Sequence, residues 1–186
     1  MVERISIYID GANFFHGLKT INKNYSDLCF DFEKFIEKIV RGNELINVYY
    51  YNAPLKEKFN KWIYWEQVRF FDRLRKVPKF KLILCKRQKR LDENNDEYYI
   101  IKGDDIHLAL DMLRDACKNK YDKVVLVSGD GDFAPLIKYV KEEGKKVFNY
   151  CFEGSVSRDL LKEFPVKNRF MINKKIVNKF FWRKEK

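Results

Sequence analysis

Aspartates recur in this chain at places where a strand has just ended. Val124-Val125-Leu126-Val127 is an apolar, mostly β-branched run that reads as a buried strand, and Ser128-Gly129-Asp130-Gly131-Asp132-Phe133 breaks it with small and acidic residues. The N-terminus repeats the arrangement: a strand-like stretch from Arg4 to Ile9 ends in Asp10-Gly11-Ala12-Asn13. A further acidic segment, Lys102-Gly103-Asp104-Asp105, opens a helical pattern. Ligands of open α/β sheets bind beyond the carboxyl ends of the strands, so these segments are expected to aim Asp10, Asp105, Asp130 and Asp132 at one cleft.

The chemistry of such a cleft follows from charge. Two unit charges about 4 Å apart repel by roughly 4 kcal/mol at an effective dielectric of 20, so several ionised carboxylates in one pocket need a cation. Aspartate oxygens suit Mg²⁺ or Mn²⁺, ions that keep part of their water shell and bind phosphate oxygens. A site of that kind can activate water and stabilise charge on a phosphate, which amounts to phosphodiester hydrolysis without a His or Ser nucleophile. The competing reading is structural, because Asp-Gly is common in turns and acids ahead of helices cap them. Three separate segments delivering acid to one sheet edge favour the metal site.

The elements that must position these residues alternate. Asp31 is a plausible cap for a helix through Val40 with Gly42 as its stop, Ile46 to Tyr51 reads as a strand, and Lys56 to Arg75 as a long helix carrying Phe59, Trp62, Ile63, Trp65, Phe70 and Leu74. Phe80 to Cys85 is strand-like, and Lys86 to Ile101 is expected to form a hairpin or flap. In the next helix Ile106, Ala109, Leu110, Leu113, Ala116 and Cys117 share a face, expected to be buried. That phase puts Asp105 on the flank and turns Asp104 and Asp111 away, with Asp104 as a cap, and it makes His107 and Asp111 a solvated pair rather than metal ligands. A helix from Phe133 to Glu143 and a strand from Lys145 to Phe152 follow, and the basic, aromatic tail from Phe164 is expected to be a last helix. The fold class is α/β: a mainly parallel central sheet flanked by helices in three layers.

Composition narrows the partner. With 186 residues, 46% apolar, the chain is long enough for one domain with its own core. A formal charge of +11 points to a polyanion, RNA or DNA, rather than a small neutral ligand. An anionic membrane surface would use the same charge, but no apolar stretch approaches the roughly 18 residues of a spanning helix. The start, Met1-Val2-Glu3-Arg4, has no signal-peptide pattern, so the expected location is cytoplasmic. Cys29, Cys85, Cys117 and Cys151 form no Cys-x-x-Cys pair and are expected to be buried, reduced thiols.

At its acidic residues the chain resembles the NYN domain family of PIN-like nucleases. The resemblance rests on Tyr8-Ile9-Asp10-Gly11-Ala12-Asn13-Phe14, on Lys102-Gly103-Asp104-Asp105 with Ala109 and Asp111-Met112, and on Val127-Ser128-Gly129-Asp130-Gly131-Asp132-Phe133 with Pro135-Leu136. It runs from about Arg4 to Ile172, dividing the chain into residues 1–172 as the domain and 173–186 as a basic C-terminal helix or tail. It implies a Rossmann-like fold and a Mg²⁺- or Mn²⁺-dependent ribonuclease site. Asp10, Asp105, Asp130 and Asp132 then resemble the metal-binding acids, Asn13 the residue that orients Asp10 or a bound water, and Ser128 a hydrogen-bonding member of the site. Asp104 stands where family members commonly have an apolar residue, as a fifth ligand or a cap. Pro165 interrupts the family pattern after Ser157, Leu160 and Phe164.

Outside that pattern, Lys86, Arg87, Lys89, Arg90 and Lys102 are candidate RNA-phosphate contacts, with a solvated flap as the alternative. Trp62, Trp65 and Phe70 are read as core rather than as base-stacking residues, as are Phe180, Phe181 and Trp182, which could also make a homodimer contact. The leading function is a metal-dependent endoribonuclease, and the rival is a non-catalytic RNA-binding or regulatory module of the same fold. Intact acids favour the enzyme, since a pure binder gains nothing from repelling phosphate. A phosphatase with an Asp-x-Asp pair at its first strand is disfavoured by Ala12.

Overall fold

Along β1 (Arg4–Asp10), Ile5, Ile7 and Ile9 alternate with Ser6, Tyr8 and Asp10, and both sets are buried. A strand buried on both sides belongs in the middle of a parallel sheet covered on both faces. In the computed structural model, which describes residues 2–181 apart from Phe59 and Asp96, β1 lies between β2 (Glu44–Asn52) and β6 (Lys123–Val127), parallel to both. With β3 (Phe80–Leu84), β7 (Lys146–Phe152) and β8 (Arg169–Ile172) they form a six-stranded parallel sheet in the order β3-β2-β1-β6-β7-β8. The order runs outward in both directions from β1 and β6. The carboxyl ends of these two strands therefore flank the crevice where doubly wound sheets bind ligands.

Helices make the outer layers. α1 (Gly11–Ile21), α2 (Phe32–Val40) and α3 (Lys61–Lys76) bury Phe14, Leu18, Phe32, Phe35 and Phe70 against Ile7, Ile9, Val48, Tyr50, Val125 and Val127. α4 (Asp104–Cys117), α5 (Ala134–Glu142) and α6 (Arg158–Lys162) bury Leu108, Met112, Ile137 and Leu160 against Tyr8, Tyr49, Tyr51, Val124 and Leu126 on the other face. The first core is built on phenylalanines, with Phe14 edge-on to Phe30 at 5.0 Å between ring centroids. Each such ring contributes roughly 1.5–3 kcal/mol by burial. After β3 the chain leaves the sheet as an antiparallel hairpin, β4 (Lys86–Leu91) and β5 (Glu97–Lys102), and returns directly into α4.

Four expectations about the elements and the cysteines need correction. α3 starts at Lys61 rather than Lys56, because the Asn60 side chain caps it by accepting the Ile63 amide at 3.0 Å; Phe59 lies outside the described residues. The C-terminal segment is not one helix: Arg169–Ile172 adds β8 to the sheet, Lys174–Val177 forms a short helix, α7, and Val177 and Phe180 enter the first core, while Trp182 lies outside the described residues. Of the cysteines, Cys85 and Cys151 are buried but Cys29 and Cys117 are exposed.

The fourth correction concerns α4. Its buried residues are Asp104, Leu108, Met112, Asp115 and Ala116, while Ile106 and Leu110 are 66% and 61% exposed. The cause is polar. Tyr8 and Tyr49 each donate a hydroxyl hydrogen bond to Asp115 at 2.9 Å, and Tyr51 donates to Asp111 at 3.0 Å. Tyrosines on β1 and β2 thus draw carboxylates inward, and a phase read from apolar residues alone is rotated. Asp111 also pairs with Arg114 at 2.7 Å, and His107 is exposed, so the two do not form a metal pair.

Candidate functional site

Asp10 ends β1 and caps α1, because Oδ1 accepts the Asn13 amide at 2.9 Å. Its Oδ2 accepts the Ser128 hydroxyl at 3.0 Å, and the Ser128 oxygen accepts the Asp130 amide at 3.1 Å. Asn13 answers from α1, where its Oδ1 accepts the Gly129 amide at 2.9 Å. Gly129 is required here: a Cβ would stand 2.6 Å from the Ser155 carbonyl oxygen, so only glycine lets the 155–157 loop close over the turn. Asp130 in turn caps the short helical turn after β6, its Oδ1 accepting the Asp132 amide at 3.0 Å.

α4 brings the remaining acids. Gly103, at φ 82°, occupies the cap position without a side-chain hydrogen bond, so Asp104 is freed from the capping role expected of it. One carboxylate oxygen from each of Asp10, Asp104 and Asp105 lies within 4.8 Å of the others. Asp10 and Asp104 are buried, whereas Asp105 keeps an exposed edge. Asp130 lines the same cavity; Asp132 is exposed and is not among the lining residues, although its charge acts on Asp105.

The electrostatics match this crowding. Burial pushes the Asp10 carboxyl up to about 7, against the opposing hydrogen bonds from Asn13 and Ser128, with the charges of Asp105 and Asp104 pushing further upward. Asp105 rises to about 6 through burial and then through Asp104, Asp130 and Asp132. Carboxylates so raised in the apo protein are groups that a cation would relieve. The donors are all oxygen, with no thiol or imidazole in the cluster, which suits Mg²⁺ or Mn²⁺ rather than a softer metal.

From the acids a cavity of about 930 Å³ extends beside α1 to α3 and the β4–β5 hairpin, lined there by Trp62, Ile63, Arg87 and Tyr99. The basic run is divided between the two faces of its strand. Strand alternation sends Arg87 and Lys89 to one face and Lys86 and Arg90 to the other, with Lys102 opposite Lys86. Arg87 lines the cavity and reaches the Ala53 carbonyl at 3.4 Å, while Lys89 is paired with Glu97. Trp62 is 71% and Trp65 46% exposed, against the expectation of core positions, whereas Phe70 is buried. The structure thus joins Asp10, Asp104 and Asp105 tightly, ties Asn13, Ser128 and Asp130 to them, and sets most of the basic residues apart. Asp104 is the member that sequence reasoning undervalued; its only local signal was a pair of acids directly after a glycine.

A parallel sheet in this order with an acidic crevice at its switch point defines a three-layer Rossmann-like protein. The NYN domain model matches residues 4–167, and the chain belongs to the NYN domain family, which associates it with nuclease and RNA-related function. It is similar to the low amplitude and bright protein LabA of Synechococcus elongatus, 28% identical over 161 residues that cover 84% of this chain and 78% of LabA. A crystal structure of a protein of unknown function from Vibrio parahaemolyticus shares the fold, with a TM-score of 0.71, 24% identity and 97% of each chain covered. Among the described residues no helix is long and apolar enough to cross a membrane.

Proposed function

We propose that this protein is a metal-dependent ribonuclease. The observation that carries the reading is the meeting of Asp10, Asp104 and Asp105 within 4.8 Å at the switch point of the sheet, in a family associated with nucleases. Asp10, Asp104 and Asp105 would hold Mg²⁺ or Mn²⁺, with Asp130 and Asp132 at the margin. A cation held by these residues would supply an activated water and neutralise charge on the phosphate. The chain's own residues supply positioning. Ser128 and the Asn13 amide fix both oxygens of Asp10, and the Asn13 side chain holds the Gly129 amide, which keeps Asp130 in register with β1. The net charge of +11 favours a polyanionic substrate.

The test is incubation of the purified protein with labelled RNA and DNA in Mg²⁺, Mn²⁺ or EDTA, beside Asp10→Asn and Asp104→Asn. Cleavage of RNA that disappears with EDTA and in both variants is expected. Binding of RNA without cleavage in either metal would leave the protein a non-catalytic RNA-binding module.

A further inference from the structure

We propose that Trp62 is a base-stacking platform and Arg87 its phosphate contact, in a groove between α3 and the β4–β5 hairpin that leads one unpaired strand to the acids. The inference rests on the ribonuclease reading for the direction of the groove, but not for the contacts themselves. Trp62 sits in the first turn of α3 and leaves 71% of its surface exposed, a large apolar area to keep in water without a partner. It lines the same cavity as Asp10, Asp104 and Asp105, as do Ile63 from its own helix and Arg87 and Tyr99 from the hairpin.

The far wall is held in place. Arg87 reaches the Ala53 carbonyl at 3.4 Å, Lys56 lies over the Tyr99 ring at 4.9 Å, and Lys58 meets Glu97 at 4.0 Å. These contacts tie the hairpin to the loop ahead of α3. Arg87 is half-buried and its Nε has no hydrogen-bond partner among the described residues, so an anion brought into the cavity that this side chain lines would offset a charge that burial leaves poorly solvated. An indole face with a cation across a groove is the combination that recognises a nucleotide in a single strand: the base stacks and its phosphate is neutralised. A duplex keeps its bases stacked inside and cannot offer a face to Trp62. Charge favours an anionic occupant: of the other acids lining the cavity, Glu66 is paired with Arg69 and Asp27 is buried and accepts the Tyr50 hydroxyl, which leaves Arg87 and Lys19 as its cations in a protein of net charge +11.

The test is binding of fluorescently labelled single-stranded and duplex RNA oligonucleotides in EDTA, where cleavage does not interfere. Trp62→Ala should weaken single-strand binding by about five- to 150-fold, the range for loss of one stacked base, with duplex binding unchanged and Trp62→Phe retaining most of the affinity. Trp65→Ala is the control, since Trp65 is exposed but does not line the cavity. Arg87→Gln should reduce the salt slope of single-strand binding by about 0.7. Unchanged single-strand affinity in Trp62→Ala, or equal losses for single strand and duplex, would overturn the platform. Those outcomes are separate from the cleavage assay: wild-type cleavage with a silent Trp62 would leave the nuclease standing without the platform, and a selective single-strand loss in Trp62→Ala with no cleavage in any metal would leave the platform standing without the nuclease.

Discussion

Ser128 donates its hydroxyl to Oδ2 of Asp10 at 3.0 Å across 118 positions of sequence, joining the ends of the two central strands at the site itself. The Ser128 Oγ also accepts the Asp130 amide, so one hydroxyl aligns acids from both strands. This bond also lowers the Asp10 pKa against the effect of burial.

Ser128→Ala should therefore let Asp10 titrate still higher than about 7 and shift the pH profile of Mg²⁺-dependent cleavage to the alkaline side. The stability cost is about 1 kcal/mol for the hydrogen bonds lost. Cleavage rates across pH, with thermal melts alongside, check both. An unmoved profile would reduce Ser128 to a turn residue.

The raised acids also predict how stability follows pH without metal. Asp10 at about 7 and Asp105 at about 6 bind protons more tightly in the folded than in the unfolded chain. Their contribution is full below the unfolded carboxylate pKa of about 3.9 and is lost as pH rises through the folded values. In EDTA, wild type should lose melting temperature relative to Asp10→Asn between about pH 4 and about pH 8, and Mg²⁺ should restore it at the upper end by binding the native state. Asn can keep the cap of α1, so a constant difference between the two proteins would refute the shift.

Asp115 behaves in the opposite sense. Burial pushes its pKa up, but hydrogen bonds from Lys120, Tyr49 and Tyr8 outweigh that and hold it below the ordinary carboxylate value. The stability it contributes is present above the unfolded pKa and is lost as pH falls through the lower folded one. Asp115→Leu strands the hydroxyls of Tyr8 and Tyr49 in the core and should cost about 3 kcal/mol in urea unfolding. Adding Tyr8→Phe and Tyr49→Phe to that variant should recover part of the loss; no recovery would mean the hydroxyls were not the cause.

Gly129→Ala tests the closeness of the turn. Its Cβ would meet backbone, the Ser155 oxygen at 2.6 Å and Val156 Cα at 3.0 Å, neither of which can swing aside. A loss of roughly 1–3 kcal/mol is expected, as for overpacking elsewhere. Metal-dependent cleavage should fall further than the fraction of folded protein, because the same turn carries Ser128 and Asp130.

Local chemistry determined much of this protein. Alternation along Ile5, Ile7 and Ile9, the β-branched run before Ser128, and the Asp-Gly breaks after both are short-range signals that fix strands and their ends. A rule of sheet topology then places Asp10 and Asp130 at one edge. Tertiary structure alone decided the rest. The phase of α4, and with it the position of Asp104 beside Asp10, depends on tyrosine hydroxyls that lie 66 and 107 residues from Asp115. A buried carboxylate is tolerable only where such donors wait for it, and helix periodicity carries no record of them. Trp62 is exposed for a related reason: α3 packs through Phe70, Phe71 and Leu74, so which apolar residues meet the sheet was set by the docking of the helix and not by its composition.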